Sequence, residues 1–208
     1  MARPVAAGGL RKSRQEKNAE VQSALLNAAM TVAGERGYEG ATVHRIVERA
    51  EVGIGTLYHH FSSRTEILNQ IHAFAHAQAL AYIKIKLDER APLADDLGDW
   101  VDAFIDFILE NPGFIQIIND AKVWNPTAYW SVMDAQADEL AQRMIDARPD
   151  GAEVDYPADL RRFIGHSILA SISAIGGVVA HCGATEAYRT QARALIRGLT
   201  GDLFARTS

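Results

Sequence analysis

Side chains capable of recognition chemistry gather in one short stretch of this 208-residue chain, where Thr56, Tyr58, His59 and His60 fall between Ile54 and Phe61. Leu57 and Phe61 stand four apart and can face inward on a helix, which leaves the hydroxyl, phenol and imidazole groups on other faces. Such a helix suits the major groove of DNA. Ile54 and Thr56 would reach base edges near its N-terminal end, with His59 and His60 further along. Gly55 lacks a side chain that would hold the backbone away from phosphate. Other chemistries find less support. Cys182 follows His181, but helix neighbours point in different directions and nothing places an acid or oxyanion donor beside them. Cys182 therefore reads as a small buried hydrophobe. Gly53-Ile54-Gly55 lacks the preceding strand and third glycine of a nucleotide-binding loop. His72 and His76, spaced i, i+4, could share a metal ion, yet no nearby cysteine or third placed histidine accompanies them, so the signal is weak and packed or solvated histidines are the better explanation. The expectation is a binding protein and not an enzyme, with no cofactor and no resident metal.

The recognition stretch needs helices to hold it. Val21, Ala24, Leu25, Ala28, Ala29 and Val32 form an apolar stripe at helical spacing, so a first helix must pack against a partner. Gly37 can take the positive φ of a C-cap, and Thr42 offers an N-cap hydroxyl to a second helix carrying Val43, Ile46, Val47 and Ala50. Glu51-Val52-Gly53 is a three-residue break before Ile54. Short helix, tight turn, short helix is helix-turn-helix geometry. Ser63-Arg64-Thr65-Glu66 fits a capping box and opens a fourth helix with Ile67, Leu68, Ile71 and Phe74.

Together these residues resemble the DNA-binding domain of the TetR family of bacterial transcriptional regulators. The resemblance rests on Ala28-Ala29, Gly37-Tyr38, Thr42-Val43, Ile46, Ala50, Val52, Gly55-Thr56-Leu57-Tyr58, Phe61 and Ser63-Arg64 ahead of Leu68, and it covers about 50 residues. The chain departs from the family pattern at Glu51 (usually glycine), Gly53 (usually a capping serine or threonine), Ile54 (often polar or basic) and Arg64 (usually lysine). The resemblance implies that Thr42, Tyr58 and Arg64 bind phosphates, and that His44 and Arg45 touch the flanking backbone or a base. Each has a second explanation in the residues themselves: Thr42 as an N-cap, Tyr58 packing its ring on the first helix, Arg64 supporting the capping turn. It further implies a homodimer paired through its last two helices and reading a palindromic operator. Repression relieved by a small molecule is the family's usual mode. Effector-free and metal-responsive regulators of the same fold are the alternatives, as is one that senses a protein partner. Two heads on one DNA face would stand ~34–36 Å apart.

Charge is unevenly distributed along the chain. Up to Glu66 nine basic residues face seven acidic ones, whereas the remainder carries twelve against nineteen, so only the N-terminal part suits a polyanion. Arg3, Arg11, Lys12, Arg14 and Lys17 make a basic arm that can contact phosphates or the minor groove; a solubilising tail is the other reading. The lone Cys182 excludes an intramolecular disulfide and suits a reducing cytoplasm. Residues 1–20 lack an apolar leader core. Ile168–Gly183, interrupted by Ser171, Ser173 and His181, reads as a buried helix and not a membrane span.

Beyond Arg64 the pattern is helical throughout, and the expected fold is all-α with about nine helices. A basic arm (1–17) precedes the helix-turn-helix domain (18–64) and a ligand-binding and dimerisation domain (65–208). Helix four should reach about Leu87, helix five run from Asp95 to Glu110, and helix six from Phe114 to about Lys122. Helix seven should begin at Tyr129 after the Asn125-Pro126 break and end near Ala147, before a polar loop from Arg148 to Tyr156. An eighth helix after Pro157 is apolar almost all round and carries Ser167, Ala170, Ser171, Ala174, Gly176 and Gly177; such a helix must be covered on both sides. Trp100, Phe104, Phe107, Trp124, Tyr129, Trp130 and Met133 could line an apolar cavity, with Asn119, His166 or Gln136 as polar ends. With Lys122 the only basic residue between Trp100 and Met133, the expected effector is hydrophobic or aromatic and not strongly anionic.

Overall fold

The computed structural model describes residues 13–89, 97–146 and 157–205, and every regular element among them is α-helical. Helix α1 (Arg14–Gly40) opens with a reciprocal capping box. The Ser13 hydroxyl accepts from the Glu16 amide while the Glu16 carboxylate accepts from the Ser13 amide, so two orphan donors are satisfied. The chain kinks at Gly37, whose φ of +70° marks where the helical run breaks. Arg14 and Lys17 lie in α1; Arg3, Arg11 and Lys12 of the basic arm fall outside the described residues.

The buried face of α1 is wider than its sequence stripe. Leu25, Ala28, Ala29 and Val32 are buried as expected, joined by Leu26 and Ala33, while Ala24 is exposed. The reason is that α1 is covered by α2 (Val43–Arg49) and α4 (Arg64–Glu89) and also by α6 (Phe114–Trp124). At the α6 contact two glycines meet. A Cβ on Gly34 would stand 2.8 Å from the Gly113 Cα, so the backbones touch and neither position has room for a methyl group. The Tyr38 amide also donates to Asp120 of α6 at 2.7 Å, a second tie between the N-terminal helices and the larger domain.

Helices α5 (Leu97–Glu110), α7 (Pro126–Asp146), α8 (Ala158–Cys182) and α9 (Glu186–Ala205) complete the bundle. Helix α7 starts earlier than the Asn125-Pro126 break suggested, because the Asn125 side chain accepts from the Ala128 amide and Pro126 fits the first turn. The polar loop expected at 148–156 lies outside the described residues. Gly165 seats α8 on α7: a Cβ there would lie 2.1 Å from the Ala137 carbonyl oxygen. Arg189 and Arg193 of α9 clamp Asp102 and Asp106 of α5, with Arg193 2.9 Å from Asp102 and Arg189 2.6 Å from Asp106. Helix α8 ends at Gly183, φ +75°. It is long and apolar enough to cross a membrane by length and composition, but only 44% of its most apolar window is buried. The expectation of cover on both sides is therefore met on one side only among the described residues. Cys182 also departs from expectation. It is exposed, at the last residue of α8.

Candidate nucleic-acid interface

Helix α3 (Ile54–His60) is built to be held by one face and to offer the other. Leu57 and the following Phe61 are fully buried, and Val52 packs against the same core. On the opposite side Ile54 is 39% exposed and Tyr58 52%, with His59 exposed and Thr56 and His60 half-buried. The helix is seven residues long, and an α-helix, about 10–12 Å across with its side chains, fits a major groove about 12 Å wide. A Cβ added at Gly53 or Gly55 would meet nothing in the protein. The α3 N-terminus therefore presents bare backbone to whatever docks on it.

The connection from α1 to α2 is fixed by two arginines. Arg45 donates to the Gly40 carbonyl at 2.9 Å. Arg64, at the head of α4, donates to the carbonyls of Ala41 (2.8 Å), Glu39 (3.3 Å) and Tyr38. A half-buried guanidinium engaged with three carbonyls supports this connection, one of the two roles the sequence suggested for Arg64. Thr42 is the α2 N-cap, its hydroxyl accepting from the Arg45 amide at the long distance of 3.5 Å, while His44 is exposed beside it. The capping arrangement at α4 differs from the simple box. Ser63 accepts from the Glu66 amide, but the Glu66 carboxylate reaches one residue further back, to the amide and hydroxyl of Ser62. Those bonds hold the Glu66 carboxyl below its ordinary pKa.

In the turn between α2 and α3 the Glu51 backbone has φ +56°, the single positive value outside glycine among the described residues. That explains why a glycine suits this position, and marks Glu51 as a strained departure.

This arrangement of an exposed seven-residue helix behind a tight turn coincides with residues 25–71, which match the family described as bacterial regulatory proteins, tetR family. That match is confined to the N-terminal helices, α1 to the start of α4. The repressor KstR of Mycolicibacterium smegmatis is 36% identical over 53 residues, 26% of each protein, so the chain spans about a quarter of that relative's length. FasR of the same organism, a transcriptional activator, is 31% identical over 121 residues, 58% of this chain and 55% of FasR. Solved structures agree on the whole fold. A TetR-like regulator from Rhodococcus sp. RHA1 superposes with a TM-score of 0.62 at 15% identity, covering 95% of this chain and all of that one. GusR of Salmonella enterica gives 0.65 at 22%, covering 88% and 96%.

Beyond the N-terminal helices, a cleft of about 470 Å³ that is open to solvent lies between α4, α5, α6, α7 and α8. Trp100, Phe104, Met133 and Gln136 line it as the sequence suggested. The other candidates lie elsewhere. Phe107 is core, its ring 5.2 Å from Phe114 and 5.6 Å from Tyr82. Tyr129 stacks on His72. Trp124 is 55% exposed at the end of α6, Trp130 is 49% exposed on the outer flank, and Asn119 is exposed. His166 faces that flank too, 2.7 Å from Asp134 and edge-on to Trp130. The lining that sequence reading missed is the inner face of α4, His76, Ala79, Leu80 and Ile83, together with Phe114, Ile115 and Ile118 of α6. Its spacing of three and four residues along α4 was the available signal.

The α4 histidines are packed side chains. No group of three or more metal-ligating side chains occurs among the described residues. His72 is 2% exposed, and its ring lies 4.7 Å from that of His76. Burial lowers the His72 pKa to about 4; burial, and then His72 itself, lowers that of His76 to about 3. Both imidazoles are neutral at physiological pH. Neither ring nitrogen of His72 nor Nε2 of His76 has a hydrogen-bond partner.

Proposed function

We propose that this protein is a sequence-specific transcriptional regulator that binds a palindromic operator as a homodimer and is released by a small hydrophobic effector. The observation that carries the reading is α3, whose buried Leu57 and Phe61 fix it while Ile54, Gly55, Tyr58 and His59 face outward. In this reading Thr56 and Ile54 read bases, Tyr58 and Thr42 hold phosphates, and His44, Arg45, His59 and His60 contact the flanks. Dimerisation fits the uncovered side of α8. Phe163, Ser167, Ala170, Ala174 and Val178 recur there at helical spacing and are exposed, beside Leu195 and Leu199 of α9. Small residues permit close approach of a symmetry mate.

The cleft supplies the input. Helix α4 lines it with His76 to Ile83 and, two turns earlier, buries Ile67, Leu68 and Ile71 among the N-terminal helices. An effector that displaces α4 moves the reading head, and the linkage is reciprocal: DNA weakens effector binding by the same factor. KstR is named a repressor, which favours repression; FasR is named an activator and matches more of the chain, which supports activation as the second reading.

Selection of bound sequences from random duplex DNA, repeated with Tyr58→Ala and at two salt concentrations, tests the proposal. A palindrome recovered by the wild type and lost by the variant supports it. Diffuse, salt-labile binding alone would remove operator reading from the account.

A further inference from the structure

The α4 cleft is apolar along most of its lining. Leu80, Ile83, Phe104, Phe114, Ile118 and Met133 supply hydrocarbon and aromatic surface, and the polar lining groups are His76, Gln136 and Ser173. Among the described residues no Lys, Arg, Asp or Glu lines it. A shallower depression shares Leu80, Trp100, Gln136 and Leu169 with the cleft and adds Glu139 and Leu140, so it forms the approach, with a carboxylate at its rim. Among the described lining residues an anion would meet no cation inside the cleft, and a cation no carboxylate. Charge is therefore excluded from both directions.

His76 lines this cleft, and its Nε2 is buried without a partner, although such atoms are normally satisfied. His72, one turn earlier, cannot serve it, since its own two nitrogens are unpartnered and its ring meets that of His76 edge-on. From His76 to Ile83 along α4 the lining extends seven residues, roughly 10 Å, enough for a fused-ring hydrocarbon body.

We propose that the cleft takes an uncharged, largely apolar ligand bearing one hydroxyl group, and that His76 Nε2 is the atom that bonds this hydroxyl. The inference rests on the reading of the cleft as the effector site and names the chemistry of the effector. A hydroxyl is the matching group because it can donate to a bare imidazole nitrogen or accept from a protonated one, whichever tautomer His76 holds.

The test uses the full-length protein and three probes of one shape, naphthalene, 2-naphthol and 2-naphthoate, titrated calorimetrically at neutral pH. The expected result is that 2-naphthol binds about tenfold tighter than naphthalene, the effect of one buried hydrogen bond, and that 2-naphthoate binds at least tenfold more weakly than 2-naphthol. His76→Phe should bring 2-naphthol and naphthalene to within about twofold of each other without weakening naphthalene. In the wild type, 2-naphthol should also shift the His76 Nε2 resonance in a nitrogen-detected NMR spectrum, a readout that stands even where the variant fails to fold. Equal affinities for 2-naphthol and naphthalene, or a preference that survives His76→Phe, overturns the hydroxyl anchor and leaves the effector cleft standing. Absence of binding by all three probes to protein that still binds DNA overturns the anchor and the cleft together.

Discussion

Lowering the pH should destabilise this protein through His72, at pH values above those where Glu66 and Asp138 lose their contributions. The imidazole has a pKa of about 4 in the fold against 6.5 in an open chain, so the unfolded state binds more protons between those values. The sign follows: stability from this group is complete above about pH 6.5 and falls as pH drops toward 4. At pH 5 the unfolded imidazole is favoured by protonation about 30-fold and the folded one hardly at all, a loss of about 2 kcal/mol from His72 alone. His76 acts in the same direction, and Tyr129, stacked on His72, remains neutral throughout. Glu66 and Asp138 are held below their ordinary carboxylate pKa, by Ser62 and Arg162 respectively, so their contributions fade at lower pH still. Urea unfolding at pH 7 and pH 5 gives the magnitude, and NMR titration of the ring protons gives the midpoints. His72→Leu, which removes two unpartnered nitrogens at similar volume, should be as stable as the wild type at pH 7 and lose about 2 kcal/mol less on going to pH 5. A His72 ring that titrates near 6.5, or a variant with an unchanged pH response, would refute the reasoning.

Three further outcomes are expected. Glu51→Gly relieves the positive φ of the turn and should raise stability by roughly 0.5–1 kcal/mol in thermal unfolding; a lower Tm would contradict the strain argument. Arg64→Ala removes the guanidinium from three carbonyls and should cost about 2 kcal/mol of stability while leaving the slope of log K against log salt unchanged. A slope reduced by about one would instead make Arg64 a phosphate ligand in the complex. Gly165→Ala forces a methyl group onto the Ala137 carbonyl and should destabilise by roughly 1–3 kcal/mol, with wild-type stability in circular dichroism melts as the refuting result.

The helix-turn-helix was legible in the sequence because its determinants are local. Gly37 takes the left-handed conformation, Thr42 caps α2, and Leu57 and Phe61 anchor α3 through a four-residue spacing that any helix would give. The departures were local as well, and the structure gives Glu51 a physical meaning as strain. The cleft followed a different rule. Phe104 and Trp124 are equally aromatic, and only the crossing of α4, α5 and α8 places the first in the lining while the second is left at an open helix end. His166 and Trp130 face the flank, and Cys182 is exposed, because what covers a side chain is set by helices distant in sequence. Hydrophobic periodicity fixed which residues share a helix face. Which face is covered, by which helix and with what space left between, required the tertiary packing that brings the Gly34 and Gly113 backbones into contact and leaves His76 Nε2 without a partner.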